Sequence, residues 1–195
     1  DADDLTAGEV EGRRQITSLV RAANREFFTE DAEIRIAALA SSMGLRESRH
    51  ARCLHSLTEA EVLSGLAFDD AAAYGSYRVD IHHDEGITFR YLDGKQEIMR
   101  VDRATGAIAW ERGRWRPEAG ESPTFYQIPY RCLVPRGADN VLCAGRMLDC
   151  DRGAYGACRV MVNCNQMGEA AGVAAARCVA EGAPIETAWR GLANE

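Results

Sequence analysis

The chain has 195 residues, room for one or two domains, and its 46% apolar share is enough to build a core. Asp and Glu number 30 against 23 Lys and Arg, a formal net charge of −7. That balance disfavours a nucleic-acid partner, whose phosphate backbone needs a basic surface, and no apolar run approaches membrane-spanning length.

Residues 6–25 predict a helix, with Thr6 as N-cap, Glu9 completing a capping box, and an apolar stripe through Val10, Ile16, Leu19, Val20 and Ala23. Residues 32–39 are strand-like, and 41–50 form a polar turn. A capping box of Thr58 and Glu61 opens a short helix over 58–63, and 69–73 predict a helical turn. The alternation in 77–82 predicts a strand. Residues 96–101 and 107–110 flank a hairpin loop, 102–106, that ends in Gly106. A surface loop over 113–122 leads to strand-like residues 125–134, interrupted by Pro129. The turn 135–140 feeds a buried strand, Val141-Leu142-Cys143-Ala144, that stops at Gly145 and Arg146. After a loop rich in Gly, Arg and Asp comes a helix over 161–181, closed by Gly182 and Pro184, and then a short helix over 185–192.

The seven cysteines are odd in number and form no CxxC pair. A reducing, cytoplasmic setting is the expectation. Cys150, Cys158 and Cys164 match no zinc spacing, and no metal is expected. No signal peptide is visible, but the chain opens at Asp1 rather than Met, so a processed N-terminus, a fragment or a separate subunit all stay open.

Three groups of residues carry candidate chemistry. Asp80 and His82 alternate on one strand and therefore share a face, with His83 turned away. His82 suits a general base and Asp80 could orient it, against the plainer reading of a half-exposed strand histidine. Tyr130 or Arg131, at the chain crossover beside Pro129, could line a substrate pocket or simply pack. The strand 141–144, the turn at Gly145 and Arg146, and the small-residue helix with Gly168 and Gly172 make a place where backbone can approach a cofactor closely. Arg146 could neutralise a phosphate or pair with Asp149 or Asp151. Gly168, Gly172 and Ala176 predict a flat, closely packed helix ridge. The matching front half, a GxGxxG turn after a first strand, is absent; Gly8 and Gly12, or Gly153 and Gly156, are too sparse to replace it.

Three stretches together resemble the FAD-dependent oxidoreductases of the glutathione-reductase-like flavoprotein superfamily. They are Gly44-Leu45-Arg46-Glu47-Ser48-Arg49, then Tyr77-Arg78-Val79-Asp80-Ile81-His82, then a set running from Ile128-Pro129-Tyr130-Arg131-Cys132-Leu133-Val134-Pro135 through Asn140 to Arg146 and on to Arg159-Val160-Met161 and Met167 to Gly172. The resemblance spans about residues 6–181 and implies the C-terminal portion of such a protein. It implies an α/β fold with α+β character: the C-terminal part of a discontinuous FAD-binding domain plus a mixed β-sheet substrate domain. The expected division is 1–127 for the substrate portion with its leading helix and 128–195 for the segment completing the FAD domain.

The resemblance further implies FAD as cofactor and hydride transfer from a small organic substrate, with His82, Asp80 and Tyr130 as catalytic candidates. Gly145 and Arg146 would meet the ribityl or pyrophosphate, and Asp149 or Asp151 would accept a ribityl hydroxyl. Arg159, Val160 and Met161 would stand at a helix N-terminus facing the flavin pyrimidine edge. A separate N-terminal FAD-binding chain or fragment is the expected partner. The alternatives are a non-catalytic subunit derived from such an enzyme that stabilises a partner, and a self-standing small-molecule-binding domain without flavin.

Overall fold

The computed structural model describes residues 2–29, 32–118 and 120–190. They fall into two compact units, 1–46 and 47–195.

The first unit holds α1, Ala2–Phe27, with Asp3 and Asp4 in its first turn and Arg25 in its last, each sign suited to the helix dipole. Thr6 is not the cap expected of it: the helix starts earlier, and the Thr6 hydroxyl donates to the Ala2 carbonyl at 2.9 Å. Residues 32–39 form no strand, because no neighbouring strand accompanies them. The Asn24 side chain holds them instead, donating to the Ile34 carbonyl and accepting from the Ile34 N–H, both at 2.9 Å.

The second unit is mixed α and β. Its helices are α2, Glu59–Ser64; α3, Arg152–Cys158; and α4, Met161–Glu181. Its strands are β1, Ala71–Gly75; β2, Val79–His83; β3, Gly86–Arg90; β4, Lys95–Val101; β5, Ile108–Arg114; and β6, Tyr126–Pro129. Strands β2 to β5 make an antiparallel meander, and β1 pairs antiparallel with β6. The capping box forms as expected, with the Thr58 side chain accepting from Glu61 N–H and the Glu61 carboxylate accepting from Thr58 N–H at 2.8 Å. The 102–106 loop is held by Asp102, whose carboxylate accepts from Ala104 N–H at 2.8 Å, and Gly106 takes the left-handed conformation at φ 72°. Strand β5 runs past the expected end at Trp110 into the expected loop.

Four local expectations are corrected. Of the expected helical turn 69–73, residues 69–70 form a turn and 71–73 are strand, because pairing with β6 outweighs the helix preference of the alanines. Residues 141–144 make no strand: apart from Cys143 N–H donating to the Leu133 carbonyl at 2.8 Å, no ladder forms along them. The Gly-rich loop before α4 contains α3, capped by Asp151, whose carboxylate accepts from Ala154 N–H at 2.8 Å. The expected final helix is a single 3-10 turn, Ile185–Thr187; residues 191–192 of that expectation lie outside the described residues.

The core joins Leu57, Val62, Val79, Tyr126, Ile128, Tyr130, Leu133, Leu148 and Met167. It draws on both sides of the expected 127/128 division, and β6 itself spans that point.

Candidate functional site

The site is built on β2. Asp80 and His82 share a face, and His82 Nε2 lies 3.1 Å from Asp80 Oδ1. The imidazole is about half exposed, 49%, while the carboxylate side chain is 12% exposed. Asp80 Oδ1 is buried and accepts no well-directed hydrogen bond, and His82 Nε2 is the polar atom set beside it. The other oxygen, Oδ2, accepts from the Tyr77 hydroxyl at 3.2 Å and faces Arg159 Nη2 at 3.5 Å. His83 turns elsewhere, its Nε2 2.9 Å from Thr88 Oγ1. An open cleft of about 620 Å³ is lined by His82, His83, Asp84, Glu85 and Arg152.

Helix α3 sets this geometry. A Cβ on Gly156 would lie 2.7 Å from the Asp80 carbonyl oxygen, so the helix backbone rests directly on the strand. At its start Arg152 donates to the His82 carbonyl. At its C-cap Arg159 reaches the Asp80 carboxylate. Two arginines thus hold the strand segment that carries the acid–base pair.

Arg159 also leads into α4. The N-cap of α4 is Val160, which supplies no side-chain cap, so the dipole end lacks the usual oxygen partner. Beside it Met161 is 83% and Val162 67% exposed, an apolar surface next to a positive helix end. Gly145 adopts φ 85°, and Leu148 N–H closes a turn onto its carbonyl at 3.1 Å. Nothing crowds a Cβ at Gly145, so the glycine serves the left-handed backbone rather than clearance. Exposed Arg146 lies close enough to Tyr155 and to Cys164, in the first turns of α4, to favour their ionised forms, although burial, the larger effect, pushes both groups up.

The remaining predicted residues have structural employment. Asp149 Oδ2 accepts from Cys53 N–H at 2.6 Å. Asp151 Oδ2 accepts from Glu59 N–H at 2.9 Å while Oδ1 caps α3, so one carboxylate serves the starts of two helices. Tyr130 is fully buried and part of the core, its hydroxyl donates to the Ile185 carbonyl at 2.9 Å, and burial pushes it up to about 12. Arg131 gives its fork to buried Asp70, Nε to Oδ2 at 2.9 Å and Nη2 to Oδ1 at 3.1 Å. The ridge expected to pack closely is open: a Cβ on Gly168 or Gly172 would meet nothing within 4 Å.

A family model described as FAD dependent oxidoreductase matches residues 1–188. The chain belongs to that family. No curated protein and no solved structure matches it. As an FAD-dependent oxidoreductase it has FAD as its implied cofactor, and the residues present fit that group. The uncapped α4 start offers N–H groups and a positive dipole end, exposed Met161 and Val162 offer an apolar contact for a flat ring, and Gly145 offers open backbone. Among the described residues no helix is long and apolar enough to cross a membrane, and no group of three His, Cys, Asp or Glu is placed to hold a metal.

Sequence reasoning missed the link between these parts. Arg159 was assigned to the flavin-facing helix and Asp80 to the strand, but nothing in the order of residues pairs them. Tyr77 and His50 were also missed. His50 ties the Glu47 carboxylate, 3.0 Å from Nε2, to the Leu148 carbonyl, 2.7 Å from Nδ1, and packs edge-on against Tyr155. Its position just after the Gly44–Arg49 motif was the available signal.

Proposed function

We propose that this chain supplies the substrate-side sheet and the flavin-facing helix of an FAD-dependent oxidoreductase that takes hydride from a small organic substrate. The observation that carries this reading is the Asp80–Arg159 contact, which joins the His82 acid–base pair to the residue preceding the α4 N-cap. A base and a helix N-terminus in one connected site suit removal of a proton and of a hydride from neighbouring atoms.

In this mechanism His82 Nε2 faces Asp80, and the other ring nitrogen, Nδ1, receives the proton of a substrate hydroxyl. Asp80, held by Tyr77 and Arg159, stabilises the imidazolium that forms and fixes its orientation. Bound FAD would supply the two-electron acceptor. Arg159, Val160 and Met161, at the positive end of α4, would hold that acceptor and favour negative charge on it. Gly145 and Arg146 would hold the ribityl–phosphate portion. The open ridge of Gly168 and Gly172 receives the GxGxxG-bearing half of the FAD domain, carried by a separate chain or fragment. The assembly is a heteromer working in a reducing cytoplasm, where its thiols stay free; burial pushes Cys53 and Cys150 up to about 12.

The test is a visible spectrum of the chain purified alone and with the GxGxxG-bearing polypeptide that accompanies it. The reading predicts flavin absorption with that polypeptide and none without it. No flavin in either preparation would overturn the reading, and full flavin occupancy in the chain alone would overturn its need for a partner.

A further inference from the structure

Arg78 lies two residues before Asp80, immediately ahead of β2, and reaches the face that holds Asp80 and His82 through its contact with Phe89, the cross-strand partner of Asp80. Its guanidinium stands 4.1 Å from the centroid of Phe89, 5.4 Å from Tyr77 and 5.7 Å from Tyr91. Its Nε is buried and has no hydrogen-bond partner. The carboxylates nearby are already engaged. Glu97 accepts from the Tyr91 hydroxyl at 2.8 Å and from Arg112 Nε at 3.1 Å, and Asp80 is shared by His82, Tyr77 and Arg159. A buried N–H on a cation is costly to leave unpaired, and aromatic faces offer attraction but no acceptor oxygen.

The register of the sheet shows what lies beside this cation. Asp80 pairs with Phe89, and Phe89 with Glu97. His82 pairs with Ile87, Ile87 with Met99, and Met99 with Trp110. An apolar row therefore runs across the sheet from His82 to Trp110, which is 47% exposed and stacked at 17° on Phe89 with centroids 6.3 Å apart. Cation, acid–base pair and flat apolar floor occupy one face.

We infer that Arg78 anchors a carboxylate of the substrate, and that the substrate is an organic acid with a flat apolar body lying against exposed Trp110, its oxidised carbon next to His82. This deepens the oxidoreductase reading and rests on its assignment of Asp80 and His82. The guanidinium fork matches a carboxylate in two parallel bonds, and Nε is one of the two donors such a pair uses. The aromatic rings beneath it exclude water and make that pair stronger than it would be in solvent. The two-donor fork of one guanidinium is matched by one carboxylate, whereas a phosphate asks for more positive charge.

Every group in this subsite belongs to the chain itself, so the test needs no flavin. Benzoate, its neutral analogue benzamide and inorganic phosphate are titrated into the full chain while the Arg78 Nε–H resonance is followed. Benzoate should shift that resonance and bind about 10-fold or more tightly than benzamide, the discrimination expected of a charge-assisted pair. Arg78→Gln should remove the preference, Arg78→Lys should keep only part of it, and Trp110→Ala should weaken both aromatic ligands alike. Equal binding of benzoate and benzamide by the unaltered chain, or a stronger response to phosphate, overturns the inference even if a variant fails to fold. Flavin in the assembly with the GxGxxG-bearing polypeptide but no benzoate preference removes the carboxylate anchor and leaves the oxidoreductase reading; benzoate preference with no flavin in that assembly does the reverse.

Discussion

In α3 a Cβ on Gly153 would lie 2.2 Å from Glu59 Oε2, and one on Gly156 would lie 2.7 Å from the Asp80 carbonyl oxygen. In α4 a Cβ on Gly168 or Gly172 would meet nothing within 4 Å. Both helices spend two glycines, yet only α3 uses them inside this chain. There the missing side chains let the helix sit on β2 and place Arg152 and Arg159 around Asp80 and His82. In α4 the same economy leaves a smooth ridge facing outward, with Met161, Val162 and Val179 exposed along the helix. Glycine spacing marks a close approach of backbone, and the neighbour that approaches has to be found elsewhere.

The contrast can be broken first at the chemistry that α3 positions. His82→Ala in the FAD-loaded assembly should slow flavin reduction by substrate about 10²- to 10⁴-fold, the range for a general base, while flavin stays bound. Stopped-flow absorbance reads this, and an unchanged reduction rate removes His82 from the mechanism. Gly156→Ala should destabilise the chain by about 1–3 kcal/mol through overpacking against the β2 backbone, seen as a lower denaturant midpoint. A neutral result would mean that α3 does not rest on the strand.

The α4 glycines should respond in the opposite direction. Gly172→Ala should stabilise the chain alone by roughly 0.5–1 kcal/mol, since glycine is the poorer helix former and open space receives the methyl group. Gly172→Leu should leave the chain folded and prevent its association with the FAD-bearing half, read by co-purification. Destabilisation of the isolated chain by either substitution would mean that the ridge is already covered.

The smallest expected effect lies at the start of α2, which α3 packs against. Burial alone would raise the Glu61 carboxyl, but the bonds from Thr58 and the neighbouring His55 outweigh it, and Glu61 sits below the ordinary carboxylate range. With its folded value below its unfolded one, about 4.3, the capping box contributes its full stability above that pH and loses it as pH falls through the folded value. A carboxyl-carbon NMR titration that finds Glu61 at the ordinary glutamate value would contradict this.

Much of the framework was legible because local signals and tertiary neighbours agree. Helix α4 ends at Glu181 because Gly182 takes φ 67°, and Thr58 with Glu61 caps α2 as the spacing asks. Period-two alternation placed Asp80 and His82 side by side. Where partners decide, local signals failed. Three alanines at 71–73 become strand because β6 lies beside them, and Arg152–Cys158 becomes helix because its glycines are buried against α2 and β2. Residues 141–144 have the composition of a buried strand and lack a neighbour to pair with among the described residues. In the site, Asp149 and Asp151 looked like free hydrogen-bond acceptors, yet backbone N–H groups from distant segments claim their oxygens. The Asp80–Arg159 contact depends on how α3 lies on β2, which no spacing encodes.

Hydrogen–deuterium exchange on α3 and α4, in the chain alone and in the FAD-loaded assembly, tests the central claim most directly. The amides of residues 161–163 at the start of α4, and the ridge through Gly168 and Gly172, should slow markedly in the assembly, while those of Arg152–Cys158 stay as they were. Unchanged exchange at the α4 start in a flavin-loaded assembly would contradict the assignment of that helix as the one facing the flavin.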